Sequence, residues 1–333
     1  AFVLGAVVVV GISSWYLKKK REEEFSRKSI KIAAIFGLVS IVLLIYTGDG
    51  SAYQVAQKQP MKLAAMEGLY DGQNGTPLVA IGMLNNKKFK ALRDNDSLGF
   101  ELEKPYLFQI SVPKALSFLG YRDINAFVPG INDLIKGGYK YKDSTGNYAI
   151  AQSLEEKIIS GRIAINALAS YNKAIKAGDD EGASTSKKDL RDNFHNFGYG
   201  YLKESKDIVP NVPLVFYSFR IMVILGGYFL LFFIVTLWLE QKEKIGRCKW
   251  YQIIAIISIP LVYICSQAGW IVAEAGRQPW TIQDLLPVQA SVSGVSSSAV
   301  LTTIILFFIL FSVLLAAELS ILFKVIHKGP ASN

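Results

Sequence analysis

The sequence predicts an all-α, polytopic transmembrane helix bundle of about five spans that carries a large extramembrane loop region. Three observations predict it. Hydrophobic residues make up 51% of the 333 positions and charged residues only 19%, with mean hydropathy +0.29, whereas a soluble domain carries about 25% charged residues. Five apolar runs approach the roughly 20 residues that an α-helix needs to cross a ~30 Å hydrocarbon core. One connection between those runs, Gly48–Val212, is about 165 residues long, far beyond the ~12–15 at which a loop is usually functional or a folded region of its own. So apolar a chain cannot remain disordered.

The runs are Ala1–Leu17, Ile30–Thr47, Pro213–Leu239, Trp250–Ala275 and Val300–Phe323. The first starts at full hydrophobicity, without a basic leader or a small-residue cleavage site, so it reads as the tail of a helix and the chain is expected to continue upstream. LKKKREEEFSRKSIK after run one and EQKEKIGRCK after run three collect Lys and Arg, and Lys324 and Lys328 follow run five. The positive-inside rule puts these three connections in the cytoplasm. Gly48–Val212 and Gly276–Ala299 then face outward, into the periplasm of a bacterium. This divides the chain into two helices with a basic loop over 1–47, an external region over 48–212, and three helices with short loops and a tail over 213–333. The formal charge of +9 is mostly topology, and no nucleic-acid partner is expected.

The external region is not low-complexity. Ser153–Ala177 has helical periodicity, with Ile158, Ile159, Ile163, Ile165, Leu168 and Tyr171 as its apolar set, and DGQNGTP and GDDEGAS read as turns. No repeat at a fixed period suggests a solenoid or an inverted-repeat transporter. Cys248 and Cys265 are the only cysteines and His195 and His327 the only histidines. A disulfide framework, a cysteine metal cluster and any mechanism needing several imidazoles from this chain are excluded.

Ionisable groups inside a span cost several kcal/mol unless paired, which makes each a functional candidate. Arg220 lies about seven residues into the third run, roughly 10 Å from its outer end, and Met222 leaves the helix about 200° away from it. Residue type alone favours Arg220 snorkelling to the interface with Met222 as core filler; the alternative is that both serve a ligand. Trp270, Glu274 and Arg277 fall at i, i+4 and i+7, one stripe at the outer end of the fourth run, and Pro279 ends that helix. An interfacial belt would explain Trp270, Trp280 and Arg277, but an acid buried just inside the belt favours a functional site. Glu318 near Lys324 reads as an interfacial ion pair. All the outer-face candidates would lie beneath the external region.

GWIVAEAGRQPW (Gly269–Trp280), KLAAME (Lys62–Glu67) after GDGSAYQVAQKQPM, and SFRIM (Ser218–Met222) resemble subunit I of the cytochrome bd-type quinol oxidases, with VPKALSFLGYRDINAFVPGINDL (Val112–Leu134) and AEL…FK…GP (Ala317 to Pro330) extending the match. The resemblance implies a terminal respiratory oxidase of the bacterial inner membrane, with a long periplasmic Q-loop. It would take electrons from quinol at the outer face and reduce dioxygen to water, together with a second subunit and a small accessory subunit in the lipid bilayer. The implied cofactors are a low-spin haem b, a high-spin haem b and haem d or a further haem b. On this resemblance Met222 is the thioether ligand of the low-spin haem iron and Arg220 a propionate partner. Glu274 is the carboxylate at the high-spin haem iron, Trp270 a ring between haems, and Arg277 a basic neighbour of Glu274. Lys62 and Glu67 are the quinol-site pair. Being five apart, about 140° around a helix, they would not form a simple bridge, and two solvated loop charges remain the alternative. The family's histidine ligands are not matched by His195 or His327, so the chain resembles the C-terminal portion of the subunit and is expected to be inactive alone. The competing function is a transporter or channel component in which Arg220 and Glu274 bind a substrate or ion within the membrane.

Overall fold

The computed structural model describes residues 1–94, 96, 101, 103–142 and 146–329; Pro330, at the end of the C-terminal motif, lies outside them. The α-helices are α1 (Phe2–Lys18), α2 (Glu23–Lys58), α3 (Pro60–Glu67), α4 (Asn86–Arg93), α5 (Ala115–Tyr121), α6 (Ile131–Lys136), α7 (Leu154–Ala177), α8 (Asp180–Asn193), α9 (Val212–Gln241), α10 (Lys249–Ala275) and α11 (Ser297–Lys328). Among the described residues the strands form only two-stranded ribbons: β1 (Gln73–Asn74) with β4 (Phe127–Val128), β2 (Leu78–Leu84) with β3 (Tyr106–Val112), β5 (Lys140–Lys142) with β6 (Tyr148–Ile150), and β7 (Trp280–Ile282) with β8 (Leu286–Pro287). All four ribbons are antiparallel.

Helices α2, α9, α10 and α11 are long and apolar enough to cross a membrane, whereas α1 has 17 residues, about 25 Å at 1.5 Å per residue. The expected five spans therefore become four of full length and one shorter apolar helix. Helix α2 also overruns its expected end at Thr47, passing through Gly48 and Gly50 to Lys58. Its last turns have somewhere to pack: Val55 and Ala56 join the apolar clusters beneath it, and Pro60 follows at the first position of α3.

Two compact units divide the chain. The first comprises Ala1–Leu44, Leu225–Ile264 and Val292–Asn333. Its helices approach closely where side chains are absent or flat: Gly11 faces Ile259, and Gly37 faces the ring of Phe233. Tyr228 and Ser258 share a hydrogen bond of 2.6 Å, and Arg27 pairs with Glu240 at 3.2 Å. His327 lies in the last turn of α11 rather than in a tail, its ring 5.6 Å from that of Trp15. No ion pair joins Glu318 to Lys324 among the described residues; six positions along a helix set side chains about 240° apart.

The second unit comprises Ile45–Ile224 and Cys265–Ser291. Its main core gathers Met61, Ala65, Met66 and Tyr70 with Ile131, Leu154, Ile158, Phe216, Val272 and Trp280. Helix α7 starts with a capping box: Ser153 accepts from the Glu156 N–H, and Glu156 accepts from the Ser153 N–H. Its buried face differs from the apolar set expected. Ile158, Gly161, Ala164 and Ala167 are buried, while Ile159 is 53% exposed and Ile163 46%. Small residues win this face because a 3-10 segment, Phe194–Tyr201, lies directly on it: a Cβ at Gly161 would stand 2.3 Å from the Asn196 carbonyl oxygen.

Candidate functional site

Helix α3 is short, opened by Pro60 and closed by Gly68 in the left-handed conformation (φ 59°). Lys62 and Glu67 leave it toward different partners. Glu67 is 3% exposed and Arg220 of α9 is 7% exposed, and Arg220 Nη2 donates to Glu67 Oε2 at 2.7 Å. The same guanidinium donates to the backbone oxygens of Met66 (2.5 Å) and Val79 (2.7 Å) and lies 4.1 Å from the Phe216 ring centroid. Tyr106 of β3 donates its hydroxyl proton to the Glu67 carbonyl, and Tyr217 accepts from the Leu84 N–H at 3.1 Å. Burial outweighs the pull of Arg220 and lifts the Glu67 carboxyl above the ordinary carboxylate range.

Two expectations need correcting here. Arg220 does not snorkel: its charge is met inside the fold by a carboxylate and two carbonyls, which a guanidinium fork can hold together. Glu67 is not a solvated loop charge, because α3 turns it into the core beneath β2 and β3.

Lys62 lies on the other side of this junction. Its Nζ donates to the Ala273 carbonyl oxygen of α10 at 3.4 Å, and its stem fills the space a Cβ on Gly276 would take. Burial is the larger cause lowering its ammonium below the usual lysine range, the charge of Arg277 adding to it and Glu274 opposing. Lys62 and Arg277 both line a cavity of about 1220 Å³, bounded also by Tyr121, Lys157, Tyr199 and Asp284.

Met222 is half-buried, and a Cβ on Gly269 would meet its sulfur at 3.1 Å, so the glycine of GWIVAEAGRQPW is what lets the thioether lie against α10. Cys265 Sγ faces the Met222 carbonyl oxygen at 3.5 Å. Arg277 Nη2 donates to Glu274 Oε2 at 2.6 Å, as the stripe requires. The expected burial of Glu274 is not found: its side chain is 44% exposed, Arg277's is 37%, and Trp270 is 63% exposed. The helix ends at Ala275, and among the described residues this face of its last turn stays largely exposed. All three motifs nevertheless meet: Arg220 of SFRIM on Glu67 of KLAAME, Lys62 of KLAAME on Ala273 of GWIVAEAGRQPW, and Met222 on Gly269.

The sequence profile described as Cytochrome bd terminal oxidase subunit I matches residues 1–330. The chain belongs to this family. It is 30% identical over 332 residues to the cytochrome bd-II ubiquinol oxidase subunit 1 of Escherichia coli (strain K12), covering 99% of this chain and 61% of that protein. It is 29% identical over 332 residues to the cytochrome bd ubiquinol oxidase subunit 1 of Bacillus subtilis (strain 168), covering 99% of this chain and 54% of that protein. The solved structure of bd oxidase from Geobacillus thermodenitrificans superposes with a TM-score of 0.62 at 21% identity, over 98% of this chain and 56% of that one, which speaks for the fold. The chain thus spans somewhat more than half the length of these relatives. Membership, with helices of spanning length, makes it an integral protein of a bacterial inner membrane and implies haem cofactors.

The residues present suit such a group. A thioether is a soft ligand fitted to haem iron, and Met222 offers one in a half-buried place. Among the described residues Arg220 makes three of the five hydrogen bonds that a guanidinium can donate, and the remaining two donors suit a propionate. Glu274 gives Oε2 to Arg277, and among the described residues its Oε1 accepts no hydrogen bond. Val79, Tyr106 and Tyr217 were not expected at the site. Val79 and Tyr106 come from a ribbon with no motif around them, and Tyr217, one residue before SFRIM, was not singled out.

Proposed function

We propose that the chain is part of subunit I of a terminal respiratory oxidase that oxidises quinol at the outer, periplasmic face and delivers the electrons to dioxygen, forming water. The observation that carries this reading is the meeting of the three motifs around one buried ion pair beside the cavity that Lys62 lines. Haem, when bound, supplies one-electron carriers and the oxygen-reducing centre; a low-spin haem b, a high-spin haem b and haem d or a further haem b are the set proposed. Met222 would hold the low-spin iron, Arg220 a propionate, and Glu274, flanked by Trp270 and Arg277, the high-spin iron.

Lys62, which lines the cavity, would donate a hydrogen bond to a quinol oxygen. Glu67, buried and held by Arg220, would fix the α3 backbone from which Lys62 projects. The second subunit and a small accessory subunit are proposed partners. The transporter reading has less support, because Arg220 is already engaged by Glu67 and two carbonyls.

The test is spectroscopic. The intact protein purified from membranes should show a reduced-minus-oxidised haem spectrum, and its absence would end the oxidase reading. Met222→Leu should abolish the low-spin signal; retention of that signal with normal quinol oxidation would remove Met222 from the ligand set. Glu274→Gln should alter the high-spin signal and slow oxygen reduction, and unchanged turnover would leave the Trp270–Arg277 stripe as interfacial belt.

A further inference from the structure

Quinol oxidation releases two protons along with two electrons, and the wall that binds the quinol must dispose of them. Lys62 and Arg277 are cations and cannot accept a proton, and Glu67 does not line the cavity. Two carboxylates among the described residues do: Asp123 and Asp284. Asp123 is exposed and accepts from the Asn125 N–H at 2.9 Å, a local turn contact. Asp284 is built differently.

Asp284 sits at the tip of the β7–β8 ribbon that follows GWIVAEAGRQPW, with φ at +60°, a conformation uncommon for a side-chain-bearing residue. Its backbone oxygen accepts from the Gly198 N–H at 3.2 Å, which latches the ribbon tip onto the 3-10 segment Phe194–Tyr201. Its carboxylate Oδ1 accepts the Tyr199 hydroxyl at 2.6 Å and Gln283 Nε2 at 2.9 Å. Tyr199 is buried with its ring 5.0 Å from Trp280, edge to face, and Lys157 Nζ lies 5.3 Å from the Tyr199 ring centroid. Burial lowers the Lys157 ammonium below the usual lysine range, the charge of Asp284 opposing it. Tyr199, Asp284 and Lys157 all line the same cavity, as does the exposed His195.

We infer that the Tyr199–Asp284 pair, steadied by Lys157, is the route by which the first proton of the quinol leaves the cavity. The inference rests on the quinol-oxidase reading above. The quinol O–H bond breaks and its proton passes to the Tyr199 oxygen as the Tyr199 proton moves to the Asp284 carboxylate. The quinol gives up its two electrons singly to the one-electron acceptor of the proposed oxidase reaction and becomes quinone as its second proton is lost to water. Asp284 then returns its proton to water at the cavity mouth, and Tyr199 recovers its starting orientation. Lys157, with its ammonium 5.3 Å from the Tyr199 ring centroid, holds that ring in place. Tyr199 and Asp284 act here as relay residues, whereas Lys62 orients the ring.

The experiment compares two electron donors on the intact oxidase with all its subunits: a short-chain quinol, and tetramethylphenylenediamine with ascorbate, a one-electron donor that releases no proton from its own oxidation. Tyr199→Phe removes one oxygen and keeps the ring against Trp280, while Asp284→Asn keeps the turn and a hydrogen-bond acceptor. In both variants kcat with quinol is expected to fall about tenfold or more, with KM changed less than about twofold and oxygen uptake from the diamine unchanged. Asp284→Glu should retain more quinol activity than Asp284→Asn. Quinol turnover within about twofold of the parent in both variants would overturn the relay. So would an equal fall with both donors, which would make the pair a structural latch. A parent enzyme that consumes oxygen with the diamine and not with any quinol would instead overturn the quinol reading itself.

Discussion

Replacing either partner of the Arg220–Glu67 pair tests whether the junction is held by one coupled network. Both residues are buried, at 7% and 3% exposure, so the survivor keeps its desolvation cost and loses its counter-charge. Glu67→Gln leaves an amide oxygen for the guanidinium. It exchanges a charge-assisted hydrogen bond of about 1.5–3 kcal/mol for a neutral one of about 0.5–1.5, beside an uncompensated cation, a loss of about 2–3 kcal/mol in all. Arg220→Met also strands the carbonyls of Met66 and Val79, for about 4–5 kcal/mol. In a unit of about 200 residues each kcal/mol is worth about 2–4 °C, so the melting temperature should fall by about 4–12 °C for Glu67→Gln and 8–20 °C for Arg220→Met. The double variant has no orphaned charge left. It should be no worse than Arg220→Met alone, whereas independent sites would add to about 6–8 kcal/mol. Thermal unfolding of the intact protein in detergent, followed by fluorescence, measures all three. Additive losses, or a Glu67→Gln shift under about 2 °C, would refute the coupling.

Three further outcomes follow from the packing. Gly161→Ala would set a Cβ 2.3 Å from the Asn196 carbonyl oxygen and 2.4 Å from the Gly200 nitrogen, backbone atoms that cannot rotate away, so a loss of at least about 1–3 kcal/mol is expected; a melting temperature unchanged in the same detergent assay would contradict the close approach of α7 to Phe194–Tyr201. Ser153→Ala removes half of the α7 capping box and should cost about 1 kcal/mol, read as a drop of a few degrees, while Ser153→Asp should restore most of it. Gly269→Ala places a Cβ 3.1 Å from the Met222 sulfur, and a flexible thioether can give by a few tenths of an ångström. The expected result is a protein of near-parental stability whose low-spin haem band is shifted, and an unshifted band would mean that the position of the sulfur does not matter to the haem.

Local grammar was legible in the sequence: the apolar runs, the α7 start at Ser153 and the stripe Trp270, Glu274, Arg277 each depend on neighbours within a turn or two. What failed depends on partners far along the chain. The apolar run ends at Thr47, but packing of Val55 and Ala56 against the second unit's cores carries α2 on through Gly48 and Gly50, outweighing roughly 1 kcal/mol of helix penalty per glycine. The face of α7 was read from its isoleucines, whereas the close approach of Phe194–Tyr201 selects glycine and alanine there.

The same limit explains the treatment of Arg220. Considered on its own helix, an arginine near a membrane surface has water as its cheapest partner, and snorkelling follows. Its actual partners lie 153, 154 and 141 residues away, and no periodicity reaches across that distance. Family resemblance did connect the motifs, but as members of a set rather than as contacts; it assigned Arg220 to a propionate and Glu67 to quinol. A direct bond between them changes what either assignment means. If Arg220 holds a propionate while it holds Glu67, one guanidinium links the α3 backbone that carries Lys62 to the haem edge, and displacement of Lys62 by a bound quinol would be felt through two charge-assisted hydrogen bonds. The cavity that Lys62 lines and the proposed first electron acceptor would then be joined through one side chain, the least membrane-compatible in α9.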